Sequence, residues 1–187
     1  GTSASEVSSE GPLAFTVCYP ELSIPAADSA IRGWVDEMLA DARELEEEAD
    51  ADTLIELTAQ YDAYLVDGRY AGILETGFLG SNLFAHPSDL IFTINVDTQT
   101  GSILTAQDIF GESQESAVLS LLYEKLAALQ DNPAEGLELD QSWLSYLLIM
   151  PEGIAIILPR SEFLASVWGT QSILLPYETL QAHGLLA

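Results

Sequence analysis

From Ile55 to Ala63 the chain alternates without a break: Ile55, Leu57, Ala59, Tyr61 and Ala63 are apolar or aromatic, and Glu56, Thr58, Gln60 and Asp62 between them are polar. Only an extended strand, whose successive side chains point to opposite faces, gathers such a set on one side. The run therefore commits the chain to a sheet with one face in the core and the other in water. It continues through Tyr64-Leu65-Val66 to Asp67-Gly68, a dipeptide that supplies the two positive φ angles of a type I′ turn, and returns through Arg69-Tyr70-Ala71 toward Ile73, Leu74 and Thr76. This is a hairpin, and the elements on either side must pack against it.

Ahead of it, Leu13 to Tyr19 mixes β-forming residues and stops at Pro20, as a first strand would. Asp28 or Ser29 is placed to cap a helix whose stripe is Ile31, Trp34, Val35, Met38, Ala42 and Leu45. Its tail carries Glu44, Glu46, Glu47, Glu48, Asp50 and Asp52 against the negative end of the helix dipole, which favours fraying of the last turn. After the hairpin, Leu90 to Val96 reads as a strand turned by Asp97-Thr98-Gln99-Thr100-Gly101, with Ser102 to Leu104 pairing back. Thr105 caps a short turn through Asp108, Ile109 and Phe110. Ser113 or Ser116 opens a helix with Val118, Leu119, Leu122, Tyr123, Leu126 and Leu129 on its stripe, and Asn132-Pro133 stops it. Ser142 to Met150 and Ile154 to Leu158, joined by Pro151-Glu152-Gly153, form a hairpin apolar on both faces, suited to the middle of a sheet under helices. A strand through Ile173 to Leu175 and a short helix from Tyr177 to Leu180 close the chain. The expected fold is α+β: two strand-helix-hairpin modules, a mostly antiparallel sheet and helices packed on one face. Residues 1–12, small and polar, are expected to be a flexible tether, 13–87 the N-terminal module and 88–187 the C-terminal one.

The 187 residues suffice for one domain or two small ones sharing a sheet, and 48% hydrophobic content supports a core despite 30 Asp+Glu against 5 Lys+Arg. The resulting charge of −25 repels phosphate backbones and anionic lipid and attracts cationic proteins. Nucleic acid is therefore not expected as a partner. The single cysteine, Cys18, rules out an internal disulfide and a Cys-based zinc site. No run reaches the ~18 apolar residues that cross a bilayer. The nucleophile elbow, the His-Glu-x-x-His zinc motif, the phosphate-binding glycine loop and the dinucleotide fingerprint are all absent. His86, held before Pro87, is the stronger of the two histidines as a ligand or base; a triad with Ser81 or Ser88 and Asp89 would need sequence neighbours to face one another. His183 and the lone Lys125 read as solvated side chains. Paired carboxylates for glycoside hydrolysis or calcium arise by chance among so many acids, and no calcium-loop spacing is present. No cofactor and no metal site is expected. Phe78, Phe84 and Trp168 fall in connections between strands, where aromatics anchor partners, whereas Trp34 and Trp143 read as core.

The order of several short motifs carries a resemblance. They are Tyr19-Pro20 at the end of the first strand, Ala85-His86-Pro87, the Ile94-Asn95-Val96-Asp97-Thr98-Gln99-Thr100-Gly101 hairpin, Leu104-Thr105 with Asp108-Ile109-Phe110, and Pro176-Tyr177 with Leu180. In these the sequence resembles an extracytoplasmic domain family found at the C-terminus of lysozyme-sensing anti-sigma factors and ahead of peptidoglycan deacetylase domains, typically in Gram-positive cell-wall biology. The resemblance implies a non-enzymatic sensor or binding domain outside the membrane, secreted or anchored by a segment preceding Gly1. Its expected partner is a basic protein such as lysozyme, or a cell-wall component. Two stretches depart from the family pattern, Leu83-Phe84 and Phe163 to Gly169, both in connections where a partner would be read. The expected binding residues are Phe78, Phe84, His86, Pro87, Phe163 and Trp168. The competing expectations are a carboxylate-dependent cell-wall polysaccharide hydrolase and a calcium-stabilised adhesion module.

Overall fold

The computed structural model describes residues 1–9, 11–84, 87–111, 113–129, 133 and 135–186. Its strands are β1 (Thr2–Ser8), β2 (Leu13–Glu21), β3 (Ile55–Val66), β4 (Tyr70–Ser81), β5 (Ser88–Asp97), β6 (Ser102–Ile103), β7 (Leu147–Met150), β8 (Gly153–Leu158) and β9 (Gln171–Pro176). The helices are α1 (Pro25–Glu47), α2 (Ala106–Phe110), α3 (Glu115–Ala127) and α4 (Tyr177–Ala182), with single 3-10 turns at Gln141–Leu144 and Ser166–Trp168. The fold is α+β. One sheet has the order β1-β2-β3-β4-β5-β6 and a second the order β7-β8-β9. In the first, β1 and β2 are antiparallel, as are β5 and β6, and the β2–β3 pair is parallel with α1 as its crossover.

The chain divides into two units, one of residues 1–63 and 74–92, the other of 64–73 and 93–187. The cut expected between residues 87 and 88 is replaced by an interleaved division, because β3, β4 and β5 are long enough for each to enter both units.

In the first unit the alternation of β3 is realised: Ile55, Leu57 and Ala59 are buried, as are Leu13, Val17 and Tyr19 on β2 and Ile31, Val35, Met38, Leu39 and Ala42 on α1. Helix α1 starts at Pro25, one turn earlier than the cap expected at Asp28 or Ser29. Asp28 instead reaches back, its carboxylate accepting hydrogen bonds from the Leu22 and Ile24 backbone N–H groups at 2.7 and 3.0 Å. Trp34 is half-buried and stacks on Phe92 at 5.6 Å.

Residues 2–8, expected to be part of a tether, form strand β1, in register with β2 from Thr2↔Glu21 to Ser8↔Phe15. The stretch has little apolar content, so its stability comes from the backbone ladder and from Glu6. That carboxylate accepts from Arg32 Nη1 at 2.6 Å and from the Tyr19 hydroxyl at 3.2 Å, while the Arg32 guanidinium lies 4.6 Å above the Tyr19 ring.

In the second unit β8 is buried at all six positions and is central in its sheet, as expected for a strand apolar on both faces. Its core joins Phe110, Val118, Leu122, Leu126, Trp143, Leu158, Leu175 and Leu180. Asp67 and Gly68 have φ of 53° and 65°, and the Arg69 N–H donates to the Val66 carbonyl at 3.0 Å, which closes the type I′ turn. Thr105 and Asp108 cap α2 reciprocally. Arg69 donates from Nε at 3.0 Å and from Nη2 at 2.5 Å to Asp97 Oδ2, and Asp97 Oδ1 accepts from the Gln99 and Thr100 N–H groups. The Arg69 guanidinium, followed by those backbone donors, holds the Asp97 carboxyl down at about 2.

Two residues fix β7 to the hairpins of this unit. The Asn95 amide donates to the Leu147 carbonyl at 2.8 Å and accepts from the Ile149 N–H at 2.7 Å, taking the place of a neighbouring strand along that edge. Gly72 approaches the same strand so closely that a Cβ there would lie 2.1 Å from the Ile149 carbonyl oxygen.

Candidate functional site

Because α1 covers one face of β2 and β3, the other face of the first unit carries the even positions: Ala14, Thr16, Glu56, Thr58 and Gln60 are all exposed. Two grooves run over it and share Phe78. One, of about 470 Å3, lies at the starts of β2 and β3 and the end of β4, with Pro12, Leu54, Glu56, Phe78, Phe84 and Pro87 in its walls. The other, of about 390 Å3, is lined by Thr16, Cys18, Thr58, Gln60, Thr76 and Phe78. The Phe78 ring is seated over Gly80, where a Cβ would come within 2.7 Å of it. Small size at residue 80 thus sets the tilt of the ring.

The walls of the first groove are tied together by Asn82. Its amide donates to the Asp52 carbonyl at 2.8 Å and accepts from the Leu54 N–H at 2.9 Å, and its own N–H bonds the Leu54 carbonyl. Asp50, from the acidic tail of α1, accepts from the Thr53 hydroxyl at 2.8 Å; this bond holds its carboxyl below the ordinary range and shapes the turn into β3. On this rigid frame Leu54, Leu83 and Phe84 are 70%, 54% and 40% exposed. Leu54 and Phe84 line the groove and Leu83 precedes Phe84 in the chain, so that exposed apolar side chains gather at one groove of an acidic surface.

Of the residues singled out in the sequence, Phe78, Phe84 and Pro87 meet in this groove. His86, and with it the arrangement with Ser81 or Ser88 and Asp89, lies outside the described residues. Phe163 and Trp168 belong to the other unit, where both pack against the core. The Phe163 ring is 5.0 Å from that of Trp143 and 6.4 Å from that of Tyr146. Among the described residues, no three His, Cys, Asp or Glu side chains assemble into a ligand-like group. Sequence reasoning missed Leu54, Asn82 and Gly80. Leu54 carried a signal, being an apolar residue on the polar phase of the alternation that starts at Ile55.

Glu75 on β4 is a further surprise. It is fully buried, it shares the phase of Ile73 and Leu79, and neither carboxylate oxygen has a hydrogen-bond partner among the described residues. Desolvation alone pushes its carboxyl up to about 8.

An α+β domain with one open, groove-bearing sheet face is thus defined. The fold is similar to that of a DUF3298 family protein from Pseudomonas aeruginosa PAO1, with a TM-score of 0.73 and 14% identity over 100% of this chain and 94% of that one. It is also similar to a DUF3298 family member from Bacteroides fragilis NCTC 9343, with a TM-score of 0.63 and 14% identity over 100% and 92% of the two chains. No family model and no curated protein matches the sequence. The likeness is one of fold, shared with a family of domains of unknown function.

Proposed function

We propose that this chain is a non-enzymatic, extracytoplasmic binding domain that captures a basic protein through the groove bounded by Leu54, Phe78, Phe84 and Pro87. The observation that carries the reading is the exposed Leu54–Leu83–Phe84 surface on a protein of charge −25. The charge steers a cationic partner inward, and the apolar walls provide contact area that salt does not screen. The sequence resemblance to the lysozyme-sensing domains names lysozyme as the partner to try first. A polysaccharide hydrolase would need a proton-bearing carboxyl within reach of a sugar chain. Among the described residues the carboxyl raised well above its usual range is that of Glu75, which is sealed from solvent.

The test is titration with a basic lysozyme at low and at about 0.15 M salt, beside an unrelated protein of equal charge, using the wild type and a Leu54→Ser, Phe84→Ser double variant. Lysozyme affinity that survives salt and falls about tenfold or more in the variant supports the reading. Equal affinity for both proteins, lost together with salt and indifferent to the variant, overturns it.

A further inference from the structure

The second unit holds a groove of about 570 Å3 that shares no lining residue with the groove at Leu54 and Phe84 and is independent of any reading of that surface. Five segments contribute to it: the β3–β4 turn, the end of β5, α2, the β7–β8 hairpin and α4. Its apolar lining includes Val66, Ile109, Ile149 and Ile154, and its polar lining includes Asp67, Asp108 and Tyr177. A concave site with an aliphatic lining and a few convergent polar groups is the usual form of a small-ligand pocket.

The charge balance of the polar lining selects the ligand. Arg69 and Asp97 also line the groove, but they neutralise one another and both Asp97 oxygens are already engaged. Asp108 uses Oδ2 on Thr105, from whose backbone N–H it accepts at 2.8 Å, and Oδ1 accepts nothing among the described residues. The Asp67 carboxylate likewise accepts no hydrogen bond among the described residues. The Tyr177 hydroxyl keeps its proton more firmly than usual, through burial first and then through the nearby Asp67 and Glu152 charges. Two carboxylates with free acceptor positions therefore share a groove with one phenol.

We propose that this groove binds a primary alkylammonium group, either a free amine or the side chain of a partner's lysine. An ammonium seated in the groove can donate to acceptors on Asp67, Asp108 and Tyr177, and its aliphatic stem lies along the half-buried Tyr70, Leu104 and Leu186 of the same lining. An anion would meet two uncompensated negative charges, and a neutral alcohol of the same length would bring no charge to these two exposed carboxylates.

The experiment is an amide-shift NMR titration of the whole chain at about 0.15 M salt with n-pentylamine and with Nα-acetyl-lysine methylamide. 1-Pentanol and pentylguanidine serve as the neutral and the planar counterparts. Saturable shifts centred on Gly68, Ile109, Ile149 and Gln181 with the two ammonium compounds are expected. Saturation with the lysine compound alone assigns the site to a protein-borne side chain, and saturation with both assigns it to the ammonium itself; either supports the proposal. Asp67→Asn should weaken the binding about tenfold or more while keeping the fold, because Asn-Gly suits the same type I′ turn. Shifts spread over the acidic surface without saturation, an Asp67→Asn protein that binds as before, or pentanol or pentylguanidine binding as tightly would each overturn it.

Discussion

Replacing Glu75 with glutamine should abolish a pH dependence of stability that the wild type carries between about pH 5 and pH 8. The carboxyl rises from its ordinary value of 4.5 to about 8 in the folded protein because burial removes its hydration and no partner among the described residues replaces it. Below the ordinary value both the folded and the unfolded chain hold the proton, and stability is at its full value. Between that point and about 8 only the folded protein holds it, so every rise in pH favours unfolding; above about 8 the loss is complete. A tenfold change in proton affinity corresponds to about 1.4 kcal/mol, which sets a ceiling of roughly 5 kcal/mol. Solvent relaxation around a charge in a real interior lowers the expected loss to about 3 kcal/mol. Every other titratable group is common to both proteins and cancels in the comparison. Urea unfolding at pH 5.5, 6.5, 7.5 and 8.5 should give a wild-type free energy that declines and a Glu75→Gln value that is nearly flat, with the variant the more stable at the alkaline end. Parallel curves for the two proteins would refute the reasoning, and would mean that Glu75 is ionised and solvated, or paired, when the chain is folded.

Other consequences follow from the same structure. Gly72→Ala drives a methyl group into the Ile149 carbonyl and should destabilise the fold by about 3 kcal/mol, read as a lower urea midpoint; a neutral effect would contradict the close approach. Asn95→Leu strands the Leu147 carbonyl and the Ile149 N–H without partners and should cost about 3 kcal/mol, with faster amide exchange at Ile149 as its local signature. The Asp97 carboxyl, held at about 2 by Arg69 first, contributes stability above the ordinary carboxylate range that is lost as pH falls through about 2. Arg69→Gln should therefore raise the Asp97 titration midpoint in carboxyl-carbon NMR and start acid unfolding at higher pH. Gly80→Ala should tilt the Phe78 ring off its seat and change the affinity measured at the groove without changing its charge or salt dependence.

Much of the fold could be read from periodicity and turn chemistry. The alternation at Ile55–Ala63, the Asp67-Gly68 turn, the Thr105–Asp108 box and the doubly apolar β8 each have a local physical cause that leaves a mark in sequence. Strand β1 left none, since its order comes from backbone pairing and from Glu6 meeting Arg32, a contact between residues far apart in the chain. For the same reason the role of Asn95 shows only where β7 lies beside it. The groove in the first unit was half legible: Phe78, Phe84 and Pro87 stood out as aromatics and a proline, although Phe78, expected in a connection, lies within β4, while Leu54 joins them only through the hydrogen bonds that Asn82 makes to its segment. Phe163 and Trp168 drew attention by the same criterion, yet their rings serve the core. Composition and spacing register an aromatic in a connection; they do not register what it leans on.

The interleaving of the two units has a consequence for how such a sequence is inherited. The backbone crosses from one to the other within β3, again within β4 and once more within β5. A recombination event at any one position leaves at least one unit lacking a stretch of its own backbone, so a single break cannot part the chain into two detachable cassettes. Both pass intact only together.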